Sequence, residues 1–297
     1  MSTVSVNYTE DKRAKDITKV VRTIICVFLC ILSIFPFYML IVNATLTHEQ
    51  VLKCRTFYPK GMISGFIRNF KGLNKWCKDA QTIPIGKAML NSLIVTVPTT
   101  ILQVYFASLT AYGIVVYNFK FKKAAWGFIY AIMMIPTQVS IIGFIALCRK
   151  LHMMGTWWPL ILPAMAAPTT VYFMKQYMEA GFSVEIVEAA RIDGANEFYI
   201  FNAIALPLLK PAMATQAIFG FVACWNNLYV PSLILATNKK TLGTLPMFIE
   251  MVKSNDKQRN WGYIYSGIFT AVMPILIAYL FLSKYIVAGV ALGGVKE

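Results

Sequence analysis

The stretch Glu188-Ala189-Ala190-Arg191-Ile192-Asp193-Gly194, followed after nine residues by Ile204-Ala205-Leu206-Pro207, is a polar, turn-containing island between long hydrophobic spans. Its residue types suit recognition. Glu188 offers a charge to an Arg or Lys, and the small Ala189 and Ala190 let another backbone approach closely. Ser183 can cap a short helix running through Glu185, Val187 and Glu188, and Gly194 can end that helix in the left-handed conformation. Phe198, Phe201 and Ile204 continue at spacings of three until Pro207 intervenes. The expectation is a helix, a glycine corner and a second helix. From amphipathicity alone two readings stand side by side, a docking surface for another protein and an interfacial helix lying flat on lipid.

No catalytic constellation accompanies the island. His48 and His152 lie far apart, and no His-Glu-x-x-His or paired Cys-x-x-Cys spacing occurs, so no metal site is expected. The chain lacks a Gly-x-x-x-x-Gly-Lys-Ser/Thr phosphate loop and so is not expected to bind ATP through one. Its uncharged runs contain neither Asp nor Glu, whereas an ion-driven secondary carrier needs a membrane-embedded ionisable relay. A cation channel would need oligomer-forming pore rings, and an intramembrane enzyme a buried nucleophile, base or metal ligand. Energy for any transport would have to come from another subunit.

The elements that must position the island are membrane spans. With 58% hydrophobic and 14% charged residues in 297 and a mean hydropathy of +0.60, the chain is too apolar for an ordinary soluble domain. Crossing a bilayer takes roughly 20 apolar residues. Six uncharged runs reach about that length: Ile24 to Val42, Ala88 to Phe119, Ala124 to Cys148, Thr156 to Met174, Pro211 to Asn238 and Trp261 to Ser283. The expected fold class is an all-α integral membrane protein with six transmembrane helices at about 20–43, 86–118, 123–148, 156–176, 209–237 and 261–285. Residues 1–16 read as a loose cytoplasmic tail, 17–297 as the transmembrane domain, and 179–207 as the loop between spans four and five. Lys12, Arg13, Lys15, Lys19 and Arg22 resemble the start of a signal peptide, but no small-residue cleavage site follows, so the first span is read as retained.

Charge says little about orientation. With the N-terminus inside, 13 of the 28 Lys and Arg fall on the inner face and 15 on the outer, so the positive-inside rule is nearly silent. The outer face would carry only Glu49, Asp79, Glu250 and Asp256 against that charge. It could attract an acidic partner, or simply lie against anionic lipid or cell wall. The loop from Asn43 to Lys87 suggests short interfacial helices anchored by Phe57, Tyr58, Phe66, Phe70 and Trp76. Pro159, Pro163 and Pro168 should shorten, kink or partly unwind span four. Cys26, Cys30, Cys148 and Cys224 read as small packing residues. Cys54 and Cys77 share an outer loop, where a disulfide and two free thiols are both open.

Glu-Ala-Ala, three residues, Gly, nine residues, then Ile-x-Leu-Pro resembles the EAA motif of permease subunits of binding-protein-dependent ABC importers. Leu90-Asn91-Ser92-Leu93, Met134-Ile135-Pro136-Thr137-Gln138-Val139, Trp225-Asn226-Asn227 and the tail from Ala288-Gly289-Val290 to Gly293-Gly294-Val295-Lys296 narrow the likeness to the MalG type, the second membrane subunit of oligosaccharide importers. The likeness runs from about Ile34 to Glu297 and is weakest between Cys54 and Thr82.

The resemblance implies that the EAA loop is a cytoplasmic coupling helix seated in an ATPase subunit. Glu188, Ala189, Ala190 and Gly194 would form its docking core, with Asp193 and the Leu206-Pro207 corner holding its angle. A cytoplasmic loop there implies an N-in, C-in topology in a bacterial cytoplasmic membrane. It also implies a companion six-span permease, two ATPase subunits that bind the ATP and Mg, an extracellular sugar-binding protein met by outer loops including Trp261-Gly262, and surrounding lipid, with no nucleic acid and no cofactor in this chain. The solute would be an oligosaccharide, or another polar solute such as a sugar phosphate or uronide. Trp225, Asn226, Tyr229 and Gln138 are the candidate path residues, since an aromatic plate and amides suit a sugar. The three-residue spacing of Asn226 and Tyr229 would keep them on one helix face. Interhelical hydrogen bonding by Asn226 or Asn227 is the rival reading, and Gln138 has the same two.

Overall fold

The computed structural model describes the backbone of residues 2–53, 57–59, 61–254 and 259–294, and side chains within 18–53, 57–59, 61–136, 139–254 and 259–281. Among the described residues every regular element is helical. The chain separates into two compact units, one of Met1–Leu73 with Asn260–Phe269 and one of Asn74–Arg259 with Thr270–Glu297.

The first unit begins with α1 (Ser2–Thr45), which continues through α2 (His48–Leu52) to α3 (Met62–Asp79). Residues 2–16, expected to be a loose tail, are helical and continuous with the first span; Ala14 and the charged residues around it carry good helix propensity. The carbonyls left open where α1 ends are satisfied by side chains. Asn69 Nδ2 donates to Ala44 O and Leu46 O, both at 2.8 Å, Arg68 Nη2 to Thr45 O at 2.9 Å, and Ser266 Oγ to Ala44 O at 3.1 Å. Gly262 is part of this knot, because a Cβ there would lie 2.6 Å from Leu46 O. The glycine placed by the sequence on an outer docking loop is therefore a buried packing residue. His48 is held as well, its Nδ1 accepting from Trp261 N at 3.2 Å. Of the expected interfacial anchors, Phe57 and Tyr58 are exposed, whereas Phe66 is half-buried and packs on Phe70 and Phe269.

In the second unit α4 (Ile85–Val116) is the axis. After it come α5 (Lys122–Met133), α6 (Thr137–Lys150) and α7 (Trp158–Ile161), which runs on as a 3₁₀ turn over Leu162–Met165. Next are α8 (Pro168–Gly181), α9 (Glu185–Ile192), α10 (Glu197–Tyr199), a π-helical stretch over Ile200–Ala205, and α11 (Leu206–Leu208). The series closes with α12 (Lys210–Trp225), α13 (Tyr229–Ile234), α14 (Lys239–Leu242), α15 (Leu245–Ser254) and α16 (Trp261–Gly294). Helix α4 packs against both α8 and α12.

Among the described residues three helices are long and apolar enough to cross a membrane, Thr18–Thr45, Ile85–Val116 and Trp261–Phe281. They become four if the pair Glu197–Leu208 and Lys210–Trp225, bent by 79°, counts as one. The other runs are interrupted. Span three breaks before Pro136, span four changes from α to 3₁₀ and back around Pro159, Pro163 and Pro168, and span five stops at Trp225 and resumes at Tyr229. Proline removes a backbone donor and clashes with the preceding turn, so uncharged length alone overstates continuous helix. Buried Trp76 and Cys77 belong to the packed interior, where burial pushes the Cys77 thiol up to about 11. Cys54, the other half of the conceivable disulfide, lies outside the described residues, as do Val295 and Lys296. Cys148 is buried as expected and Cys224 half-buried, whereas Cys26 and Cys30 lie exposed on α1.

Candidate functional site

The polar island folds as helix, corner and helix. Glu185 and Glu188 occupy the first turn of α9 and Arg191 its last, the order that complements the helix dipole. Gly194 then takes φ +80°, with its amide donating to Arg191 O at 3.0 Å and that of Ala195 to Ala190 O at 3.0 Å. This paired closure is a Schellman turn, which requires the left-handed residue that glycine supplies without a Cβ penalty. The N-terminal end departs from the expectation. Ser183 does not cap the backbone; its hydroxyl donates to Glu185 Oε2 at 2.5 Å and holds that carboxyl below the usual range. The side-chain cap that forms belongs to the second helix, where Asn196 Oδ1 accepts from Tyr199 N at 2.8 Å.

A polar bracket crosses the corner. Arg191 donates to Glu197 through Nε at 2.6 Å and Nη2 at 3.2 Å, the Tyr117 hydroxyl donates to the same carboxylate, and the guanidinium lies 5.3 Å from the Tyr117 ring centre. The Arg191 bond, and after it the Tyr117 hydroxyl, hold the Glu197 carboxyl below the ordinary range. Because Arg191 and Glu197 are partly exposed, this bracket fixes direction more than it adds stability. None of its members except Arg191 stood out in the sequence; the i,i+6 spacing of Arg191 and Glu197 becomes a contact only once Gly194 turns the chain.

The corner's inner face is apolar. Val187, Ala190, Ile200 and Phe201 are buried in one cluster with Tyr112 of α4 and Met174 of α8. Ala190 thus faces inward, while Glu188, Ala189, Asp193 and Gly194 are exposed. Phe198, expected on the same side as Phe201, is 75% exposed whereas Phe201 is 2% exposed. Through Ile200–Ala205 the hydrogen bonds widen to the π pattern, so residues three apart no longer share one face. Ile192, Phe198 and Tyr199 are thus exposed apolar residues of the corner, which also exposes Glu188 and Ala189. Leu206 is half-buried and Pro207 exposed, and together they stand just before the 79° bend into α12.

The candidate path residues separate. Trp225 is 2% exposed, stacks on Phe221 at 5.6 Å and donates from Nε1 to Ala271 O at 3.0 Å, so it joins helices and has no surface for a solute. Asn226 and Tyr229 are exposed, but α12 ends at Trp225 and α13 begins at Tyr229, so they share no helix face. The side chain of Gln138 lies outside the described residues. Asn227 turns inward, its Oδ1 accepting from Val230 N at 3.2 Å, and it lines a cavity of about 480 Å³ with Ser92, Thr96, Ser140, Pro163 and Thr244. Of Leu90-Asn91-Ser92-Leu93, Ser92 lines the cavity and Asn91 is buried beside it in sequence. Asn91 Nδ2 donates to Thr241 O at 3.1 Å and Gly243 O at 3.0 Å, while Ser92 Oγ accepts from Leu245 N at 2.7 Å. Sequence reasoning missed Ser92, Thr96 and Thr244 as cavity residues, because hydroxyls inside an apolar run carry no periodic signal and Thr244 lies in a loop between runs.

Known proteins resemble this chain in sequence and in fold. The profile of the family described as binding-protein-dependent transport system inner membrane component matches residues 103–291, which include the whole corner. The arabinooligosaccharides transport system permease protein AraQ of Bacillus subtilis is 30% identical over 94% of this chain and 96% of its own length. The sn-glycerol-3-phosphate transport system permease protein UgpE of Pectobacterium atrosepticum is 29% identical over 94% and 97%. The alpha-glucoside transport system permease protein AglG of Rhizobium meliloti is 31% identical over 75% and 60%. In fold, the chain is similar to a crystal structure of a bacterial ABC transporter involved in the import of the acidic polysaccharide alginate, with a TM-score of 0.77 at 18% identity, covering 92% of this chain and 98% of that one. By profile and by full-length relatives, this chain belongs to the family of binding-protein-dependent transport system inner membrane components.

Proposed function

We propose that this chain is one of two membrane subunits of an ATP-driven carbohydrate importer, with an oligosaccharide as its solute. The observation that carries the reading is the braced corner, which presents Glu188, Ala189 and the apolar residues Ile192, Phe198 and Tyr199 outward from a polar loop. A monomer gains nothing by exposing such residues at one corner, so it fits a protein partner, here an ATPase subunit on the cytoplasmic side. On this reading the three continuous helices and the three interrupted runs make six spans with both termini inside. Glu188, Ala189 and Gly194 meet the ATPase, Ala190 roots the helix, and Asp193 and Leu206-Pro207 set its angle. ATP and Mg are held by two such ATPase subunits. Their closure draws the corner inward, and α4, packed on the corner at one end, carries the displacement along its length. A companion permease completes the path, and an extracellular binding protein delivers the sugar in the cytoplasmic membrane of a bacterium.

The isolated subunit reconstituted in liposomes is expected to move no sugar, while the complex with companion, ATPases and binding protein moves it only with ATP. Uptake by the single subunit would overturn the reading. A narrower expectation concerns Asn226, exposed where α12 ends. Asn226→Ala should lower uptake several-fold while the complex assembles in normal yield; wild-type uptake would remove Asn226 from the path.

A further inference from the structure

The cavity between α4, α6, the proline-broken segment and α13 holds a hydroxyl with no use inside the protein. Thr244 is 4% exposed, lines the cavity, and its Oγ1 has no hydrogen-bond partner. Burying a hydroxyl unpaired is unfavourable, and such groups are rare in native structures. Ser92, 2% exposed, stands on the same wall with its oxygen already accepting from Leu245 N, which leaves its proton to donate. Asn227 uses its amide oxygen on Val230 N, and Ser140 is exposed where the cavity opens. Between these groups the walls are apolar, formed by residues such as Pro159, Pro163 and Val230, and none of the lining residues is charged.

We infer that this cavity is a sugar site of this subunit itself, taking a neutral, hydroxyl-rich ring and disfavouring anionic solutes. The inference rests on the importer reading and adds a solute class and a place to it. The unpaired Thr244 hydroxyl, the Ser92 proton and the Asn227 amide nitrogen offer donors and an acceptor to sugar hydroxyls, and the apolar walls suit the C–H faces of a ring. A carboxylate or phosphate placed there would lose its hydration with no cation to replace it. The volume of about 480 Å³ is in the ordinary range for a small-molecule site. On the importer reading the cavity is also joined to the coupling corner by one helix: Ser92 lines it, Tyr112 packs on the corner, and the helix between them spans about 30 Å.

The test uses the complete importer in proteoliposomes, with arabinotriose and maltotriose as neutral probes and trigalacturonate as the anionic one. Thr244→Val keeps the shape and removes only the unpaired hydroxyl. It should leave complex yield and thermal stability unchanged or raised while lowering neutral-sugar uptake about two- to tenfold, the worth of one hydrogen bond, and Thr244→Ser should restore it. Ser140→Lys, at the open side, should raise the ratio of trigalacturonate to neutral uptake. The site is overturned if Thr244→Val imports like wild type, if its complex fails to assemble and so shows the hydroxyl to be structural, or if wild type prefers trigalacturonate. In each of those cases ATP-driven import by the wild type leaves the importer reading standing. Absence of ATP-driven uptake of any probe by the wild-type complex overturns both.

Discussion

Gly194→Val is expected to leave the subunit inserted and paired with its companion permease, yet to weaken ATPase capture and uncouple ATP hydrolysis from uptake. Gly194 has φ +80°, a conformation that costs an L-residue about 1–2 kcal/mol, and a β-branched side chain is among the least tolerant of it. Apart from its immediate chain neighbours, no described atom lies within 4 Å of where a Cβ would be, so the β-carbon meets no other part of its own subunit. Relief of the strain comes from turning the backbone, which breaks the Gly194–Arg191 and Ala195–Ala190 bonds and separates Arg191 from Glu197. The exposed Ala189, Ile192 and Phe198 then point elsewhere. If the strain is taken wholly from the docked state, capture falls about five- to thirtyfold, more if the ATPase cleft leaves no room for the side chain. Co-purification of the ATPase and solute-stimulated ATP turnover in nanodiscs measure the two effects; wild-type values for both would mean that the corner is a surface loop with no coupling role.

Trp225→Ala is expected to act through stability. The side chain is 2% exposed, stacks on Phe221, and ties α12 to Ala271 of α16 by a hydrogen bond of 3.0 Å. Truncating a buried aromatic leaves a cavity and costs about 3–5 kcal/mol, enough to reduce the yield of assembled complex severely. Trp225→Phe keeps most of the bulk and loses the indole donor, a penalty of about 0.5–1.5 kcal/mol. The ordering wild type, Phe, Ala should appear both in complex yield and in thermal unfolding of the detergent-solubilised importer. A Trp225→Ala complex that forms and melts normally but imports no sugar would make this residue part of the path after all.

These two residues mark the boundary between what local sequence decides and what folding adds. Membrane character follows from long uncharged runs, since each buried charge is costly in hydrocarbon and its absence over some 20 residues is a local property. Proline's effects are partly local: the breaks around Pro136, Pro159, Pro163 and Pro168 fall where the ring disfavours a regular helix, while Pro36, Pro98 and Pro274 lie inside the unbroken α1, α4 and α16. The left-handed end of α9 is the same kind of fact: a glycine after a helical run, closed by bonds to residues three and five positions back.

Tertiary structure alone decided which side of each element matters. Ala189 and Ala190 are adjacent and chemically identical, yet one is exposed and the other is packed in the cluster holding Tyr112 and Met174. The stop of α12 at Trp225 undid the helical spacing of Asn226 and Tyr229, and the π stretch at Ile200–Ala205 did the same to Phe198 and Phe201. Trp225 found its acceptor 46 residues away at Ala271, and Ser92 met the chain beside Thr244 across 153 residues. The glycine turn and the proline breaks depend on neighbours a few residues apart and can be read from them, whereas the Ser183 cap, which does not form, and the stop at Trp225 show that not every cap or break can. Partners depend on how α4, α8 and α12 pack, a property of the whole chain's free energy that no window of sequence contains.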